Sequence, residues 1–320
     1  MKIKNRTALW PVWLVGLMLI TGGVALFAAS GDSAPYLVVL GIAQDGGYPQ
    51  AGCQKAHCRR VYRGERAGRY VTSLAIVDPA TRQRWFLDAT PDFPEQLQLL
   101  NRIAADSGSA GVAGIFLTHA HIGHYTGLMH LGREVMGAQG IPVYAMPRMQ
   151  HFLRRNGPWN LLVDLQNIRL IPLRHQHAVE LTGDLKVTPF LVPHRDEFSE
   201  TVGFLIQGPN RKVLYLPDID KWERWDVPIE QMLAGVDVAF LDGTFYADGE
   251  LPGRSMADIP HPFIVESLKR FSALPSSEKQ KIRFIHLNHT NPALQPGSKA
   301  TRTIIQAGFS IAEQGEKISL

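Results

Sequence analysis

The stretch Thr118-His119-Ala120-His121-Ile122-Gly123-His124-Tyr125 decides how this chain is read. It follows an apolar run, Val112-Ala113-Gly114-Ile115-Phe116-Leu117, that reads as a buried strand. It precedes Tyr125-Thr126-Gly127-Leu128-Met129-His130-Leu131, whose apolar spacing predicts a helix reaching about Met136. The histidines therefore fall where a strand ends and a helix begins. On an extended chain residues i and i+2 point the same way, roughly 6–7 Å apart, so His119 and His121 aim at one point. His124 returns to that point as the chain turns. An isolated histidine would read as a solvated loop side chain, but here three of the chain's 12 histidines lie within six residues. Imidazole suits zinc, iron and copper, so the cluster predicts a metal site.

Three more loops carry His or Asp just after apolar runs: Phe190-Leu191-Val192-Pro193-His194-Arg195-Asp196, Val213-Leu214-Tyr215-Leu216-Pro217-Asp218-Ile219-Asp220, and Phe284-Ile285-His286-Leu287-Asn288-His289-Thr290-Asn291-Pro292. Loops at strand ends converge over a rigid scaffold, and an Asp among histidine ligands can bridge two cations and orient a bound water.

Between these loops the chain alternates strands and single helices. Strands are predicted at 36–43, 71–77, 84–88, 112–117, 142–145, 168–172, 185–192, 201–207, 212–216, 236–241 and 282–287, and helices near 94–103, 226–234, 262–272 and 297–306. That pattern predicts two sheets packed face to face with helices outside. No low-complexity linker or 20–50-residue repeat divides the chain.

The order His-x-His-x-x-His, then His, then Asp, then His resembles the metallo-β-lactamase superfamily over about residues 36–320. The resemblance implies an α/β fold, a four-layer αββα sandwich, as one domain spanning 35–320. It implies that His119, His121 and His194 hold one metal, that Asp218 lies between two, and that His124 and His286 serve the second, with His289 a second candidate for the last place. One position departs from the pattern. The superfamily carries Asp before its third histidine, where this chain has Gly123. Glycine offers no ligand, although it permits a positive φ. The expectation is one tight metal and a second that is weak or rescued by His289, with proton transfer falling to Asp218 or His289.

The flanks carry a narrower likeness. Gln44-Asp45-Gly46-Gly47-Tyr48-Pro49-Gln50, Leu241-Asp242-Gly243-Thr244-Phe245 and Phe284-Ile285-His286-Leu287-Asn288 resemble the pyrroloquinoline quinone biosynthesis protein B group. The phosphoribosyl cyclic phosphodiesterase of phosphonate breakdown is similar at a greater distance. Both groups imply a structural zinc held by a Cys cluster and a distant His. Here Cys53 and Cys58 match the outer cysteines, Lys55 stands in the middle place, His57 is the substitute ligand, and His261 matches the distant histidine. A Cys53–Cys58 disulfide or two free thiols stay open beside that reading. Asp88 and Asp242, each after an apolar run, read as structural carboxylates that receive loop N–H bonds.

The chain has 320 residues, a formal net charge of +4 and a pI near 9.1. The excess charge is scattered, and no Lys/Arg block forms a nucleic-acid stripe, which leaves a small molecule as the expected partner. Residues 1–30 read apart from the fold. A basic start, Met1-Lys2-Ile3-Lys4-Asn5-Arg6, precedes an uncharged run at 8–29, and Ala28-Ala29-Ser30-Gly31 offers small residues for cleavage. This is a signal peptide or a single membrane anchor, and either places the domain in the periplasm or on the outer face of the inner membrane. The expected function is exported, metal-dependent hydrolysis of an ester, phosphodiester or lactone-type bond. Zinc is the expected metal, and iron or manganese also suits the ligands. The alternatives are metal-dependent oxidation of a cofactor precursor and a non-catalytic metal binder.

Overall fold

Alternation along the first strand shows how the layers form. In β1 (Tyr36–Gly41), Leu37 and Val39 join one buried apolar cluster while Tyr36, Val38 and Leu40 join another. A strand with two apolar faces must be covered on both sides. This computed structural model describes residues 34–105, 111–253 and 255–320. The expected signal or anchor at 1–30 lies outside the described residues. Among the described residues no helix is long and apolar enough to cross a membrane.

Among the described residues there are two seven-stranded sheets. The first runs in the order β14 (Lys317–Ser319), β1, β2 (Ser73–Asp78), β3 (Gln83–Leu87), β4 (Gly114–Phe116), β5 (Ile141–Ala145) and β6 (Ile168–Pro172). The second runs β13 (Ser310–Ile311), β12 (Ile282–Ile285), β11 (Val238–Asp242), β10 (Lys212–Leu216), β9 (Val202–Gln207), β8 (Leu185–Leu191) and β7 (Val179–Thr182). The sheets meet through one shared cluster, in which Leu74, Ile76, Trp85 and Phe116 of the first face Val187, Phe204, Ile206 and Val213 of the second. Phe116 and Phe204 touch edge to face with ring centres 5.7 Å apart, a favoured aromatic geometry.

Helices cover the outside. Phe93 and Leu100 of α2 (Phe93–Ile103), Met149 and Leu153 of α4 (Pro147–Arg155) and Leu162 of α5 (Trp159–Asp164) bury against the first sheet's other face. Leu233 of α6 (Ile229–Ala234), Ile264 of α7 (Ile264–Arg270) and Ile304 of α9 (Lys299–Gln306) join the larger cluster with the second sheet. Two short helices, α1 (Ala56–Tyr62) and α8 (Ser276–Lys279), complete the set among the described residues together with α3 (Ile122–Tyr125), which carries His124. The architecture is the helix-flanked two-sheet sandwich of the metallo-β-lactamase type.

The helix expected from Tyr125 to Met136 is instead a four-residue α3 (Ile122–Tyr125) continued by a 3-10 turn, Thr126–Leu131. The cause is close packing at Gly127, whose N–H donates to the Ala89 carbonyl at 2.9 Å. A Cβ there would lie 2.1 Å from the Thr90 carbonyl oxygen, so the chain is drawn onto the 89–90 turn and leaves the α-helical path.

The connection from β11 to α7 carries a small core of its own, Phe245, Met256, Ile259 and Phe263. Glu250 pins it down, accepting from the Tyr246 N–H at 2.7 Å and from the Thr290 hydroxyl at 2.5 Å. Burial, only partly offset by the Thr290 bond, lifts the Glu250 carboxyl to about 6. A carboxyl whose pKa is raised on folding binds its proton more tightly in the native state, so its cost to stability grows as pH rises from the unfolded value of about 4.5 through about 6. Glu250→Gln keeps the shape and removes the charge. Thermal melts should show it more stable than the parent at pH 7.5, by up to about 2 kcal/mol, with the difference vanishing near pH 4.

Candidate metal centre

Strand direction explains why the ligands converge. In the first sheet β3 is parallel to β4, and β1 is antiparallel to β2, which is antiparallel to β3, so the C-terminal ends of β1, β3 and β4 lie at one edge. By the same reasoning the C-terminal ends of β8, β10, β11 and β12 share an edge of the second sheet. Asp45, Asp88 and His119 follow the first set, and His194, Asp218, Asp242 and His286 follow the second.

His119, His121, His194 and Asp218 each offer one ligand atom within 4.8 Å of the others. His119 Nε2 lies 2.8 Å from His121 Nδ1 and 3.3 Å from Asp218 Oδ2, and His194 Nε2 lies 3.2 Å from Asp218 Oδ1. The far ring nitrogens are held as well. Thr118 Oγ1 is 2.9 Å from His119 Nδ1, and Asp220 Oδ1 is 3.2 Å from His194 Nδ1, contacts that fix ring orientation in metal sites.

A second group is Asp45, His124 and His286. Asp45 Oδ1 sits 3.3 Å from His124 Nε2 and 3.6 Å from His286 Nε2, and those nitrogens lie 3.8 and 3.9 Å from Asp218 Oδ2. Asp218 thus stands between the two groups. His124 Nδ1 is 2.7 Å from Asp88 Oδ2, and His286 Nδ1 is 2.9 Å from Thr244 Oγ1. Asp88 and His286 both adopt left-handed backbone conformations, with φ of 69° and 63°. Such strain costs non-glycine residues of order 1–3 kcal/mol and persists where the surroundings over-determine it.

Asp45 is absent from the sequence-based ligand set. The residue was visible only as part of Gln44-Asp45-Gly46-Gly47, and its signal would have been a carboxylate at a strand end paired with a glycine where the superfamily has Asp. Gly123 is not in a positive-φ conformation; it is crowded. A Cβ at 123 would lie 2.2 Å from Asp45 Oδ1.

The chemistry of the donors fits metal ions. Asp45 Oδ1, His124 Nε2, His194 Nε2, Asp218 Oδ1 and His286 Nε2 are all buried without a hydrogen-bond partner. Each desolvated and unpartnered polar atom costs about 1–3 kcal/mol, and cations ligated by imidazole and carboxylate would satisfy them all. The same pairings dominate the electrostatics. Burial alone would raise the carboxyls of Asp218 and Asp45, yet both are held well below the usual range by their histidines. Burial and the neighbouring His124 keep His119 neutral, while in His124 the carboxylates of Asp88 and Asp45 outweigh burial and raise the pKa well above the ordinary value.

Asp88 and Asp242 hold the loops in the same way. Asp88 accepts from the Thr118 N–H at 2.8 Å, and Asp242 accepts from the N–H groups of Thr244 at 2.9 Å and Ile219 at 3.1 Å. Asp242 also holds a histidine that the sequence reading placed elsewhere. His261 Nδ1 lies 2.8 Å from Asp242 Oδ2 and 3.1 Å from Asp218 Oδ1, with its ring 5.3 Å from that of His194. His261 therefore belongs to this centre and not to the cysteine cluster.

The model of the beta-lactamase superfamily domain matches residues 83–286, more than half of the chain. The chain belongs to the beta-lactamase superfamily. It is 25% identical over 307 residues to coenzyme PQQ synthesis protein B of Methylobacterium sp. strain 4-46, covering 88% of this chain and 99% of the relative. The like-named protein of Xanthomonas campestris pv. campestris strain B100 is 28% identical over 312 residues, covering 89% and 99%. Among solved structures, Zn(2+)-bound PqqB from Methylobacterium extorquens superposes with a TM-score of 0.73 at 23% identity, covering 89% of this chain and all of that one. A diphosphatase from the PhnP family superposes with a TM-score of 0.61 at 25% identity, covering 89% and 98%. These likenesses agree with the narrower group read from the flanks.

This superfamily member carries one more ligand group, well apart in character. Cys53, His57, Cys58 and His289 place one ligand atom each within 4.8 Å of one another. Both cysteines are free thiols, and the rings of His57 and His289 are 6.0 Å apart. Two expectations are corrected here. His289, not His261, completes the cysteine cluster, and the geometry places His289 outside both ligand groups around Asp218. The reason is local: Asn288 Oδ1 holds His289 Nδ1 at 2.6 Å, and the chain past the His286 turn faces the 53–58 loop. Burial first, then His57 and Lys55, push His289 down to about 4, so it is a neutral ligand at working pH. A Cys2His2 set would suit a closed tetrahedral structural zinc. Cys53→Ser and His289→Ala should each lose the same one metal equivalent and lower the melting temperature, measured by elemental analysis and thermal melts. His261→Ala should lose none.

Proposed function

We propose that this chain is an exported metal-dependent hydrolase that directs water at an ester, phosphodiester or lactone-type bond. The observation that carries the reading is Asp218, buried between three histidines of its own ligand group and the group of Asp45, His124 and His286, with His261 also against its Oδ1. Zinc, the ion named for the related PqqB structure, suits the His/Asp donors, and bound metal would supply water of lowered pKa and polarise the substrate. The rest is the chain's own work. Asp218 positions both ligand groups and, ionised at neutral pH, is placed to orient a water between them.

His261 fits the role of proton donor. Burial lowers its pKa, but Asp242 and Asp218 overturn that and raise it to about 9. Its Nδ1 is engaged by both carboxylates, while Nε2 makes no hydrogen bond to the described residues and is left for a departing oxygen. Phosphorus–oxygen bonds are the first substrates to try, because a relative of similar length is described as a diphosphatase.

A second reading has its own support. The relatives covering nearly the whole domain are named for PQQ synthesis, and three histidines with open positions also suit iron. Purified protein assayed on bis(p-nitrophenyl) phosphate and p-nitrophenyl esters, with and without oxygen, separates the two. Hydrolysis should proceed anaerobically, vanish with the first-site metal in His119→Ala, and fall about 10²–10⁴-fold in kcat in His261→Ala with metal content unchanged. Turnover that needs iron and oxygen would move the assignment to oxidation, and metal without turnover on any ester would leave a binding protein.

Export rests on the basic start and the apolar run at 8–29. Fractionation of the tagged full chain should recover it in the periplasm or on the outer face of the inner membrane, and a cytosolic, uncleaved product would sink that part of the proposal.

A further inference from the structure

Gly123 and Asp45 have to be read as a pair. Gly123 sits between His121 and His124, where the superfamily pattern has its carboxylate. A Cβ built there would meet Asp45 Oδ1 at 2.2 Å, Asp45 Cγ at 2.8 Å and Asp45 Cα at 2.6 Å. All are far inside van der Waals contact, so the space a side chain at 123 would need is filled by residue 45. The filling atom is a carboxylate oxygen. It is buried and unpartnered, it faces His124 Nε2 and His286 Nε2, and it belongs to the same ligand group as they do.

We infer that Asp45 is the carboxylate ligand of the second metal position, delivered from the loop after β1 in place of a side chain at 123. The inference rests on the metal-centre reading above but goes past it, because it says which element supplies the ligand and why position 123 is glycine. Its absence from the histidine motif then costs the second position nothing, and the expectation of a weak second metal is replaced by two well-held ions beside Asp218. The exchange is also one-way. Restoring Asp at 123 cannot succeed merely by shortening residue 45, since the Asp45 Cα itself is 2.6 Å from the required Cβ.

The geometry makes Asp45 depend on its own anchors. The backbone reaches the site because Gln44 N–H donates to the Leu287 carbonyl at 2.9 Å and Leu287 N–H donates to the Ile42 carbonyl at 2.8 Å. These bonds set the β1 loop directly against the segment that carries His286. Two of the three ligands in this group therefore come from chain segments that are hydrogen-bonded to each other, and the third comes from the α3 turn packed on them.

The test is metal binding, so it does not depend on knowing the substrate. Full-length protein and Asp45→Asn are stripped and titrated with Co²⁺ by calorimetry and absorption spectroscopy. The thiolate band of cobalt at Cys53 and Cys58 reports the separate Cys/His group and serves as an internal check that the fold is intact. The unmodified chain should bind two further ions, and Asp45→Asn should bind one of them unchanged and the other at least about 100-fold more weakly, the upper end of what disturbing a ligand's surroundings alone costs. Unchanged affinity for both ions in Asp45→Asn would overturn the assignment. A second measurement needs no variant. Anomalous scattering from the zinc-soaked parent should place an ion about 2.0–2.2 Å from an Asp45 oxygen, and an ion bound by His124 and His286 but out of reach of Asp45 would equally overturn it. Either result leaves the hydrolase reading standing or falling on its own assays.

Discussion

A carboxylate with almost no exposure to water dominates this structure. Asp218 is buried to within 2% of its surface, and four histidines, His119, His194, His261 and His286, depress its pKa. An isolated ionised carboxylate would be prohibitive in such a place. It is tolerable because histidines from both sheets surround it: His119 after β4, His194 after β8, His286 after β12, and His261 in the connection from β11 to α7. The face-to-face packing of the sheets is thus also the device that collects the ligands, and the outer helices serve mainly to keep the apolar faces covered so that those strand ends stay where they are.

Around that centre the supporting carboxylates repeat one arrangement in both halves. Asp88 takes the Thr118 N–H and a histidine Nδ1, and Asp242 takes the Thr244 N–H and a histidine Nδ1. In each half an Asp at a strand end binds a threonine turn and orients an imidazole. His124 and His261 are therefore matched by construction, although one faces the second ligand group and the other faces Asp218.

Much of this was legible in the sequence, for identifiable reasons. Apolar runs of five or six residues located most strands to within two or three positions, because strands buried on both faces leave a continuous signal. His119, His121, His124, His194, Asp218 and His286 were legible because each follows such a run. What escaped was decided by contacts between distant segments. Asp45 follows a strand as well, but nothing local distinguishes its carboxylate from a turn residue; only the proximity of Gly123 does. His261 and His289 exchanged places because motif matching assigns the distant histidine by its order along the chain, whereas the turn after His286 carries His289 toward Cys53 and the Asp242 carboxylate draws His261 inward. Helix α1 and strand β7 were missed outright: the first has a single buried residue, Cys58, and the second has none fully buried, so neither leaves an apolar pattern.

The pairing of Ala43 with Leu287 has a consequence for how such a chain can vary. On one side of that seam, Asp45 and Cys53 are separated by seven residues; on the other, His286 and His289 are separated by two. Each short span begins in the ligand group of Asp45, His124 and His286 and ends in the Cys/His group. An insertion or deletion in either would move a member of one group relative to the other, so substitutions can accumulate there but changes of length cannot. The spacing of these two spans should therefore be the part of the gene that keeps its ruler.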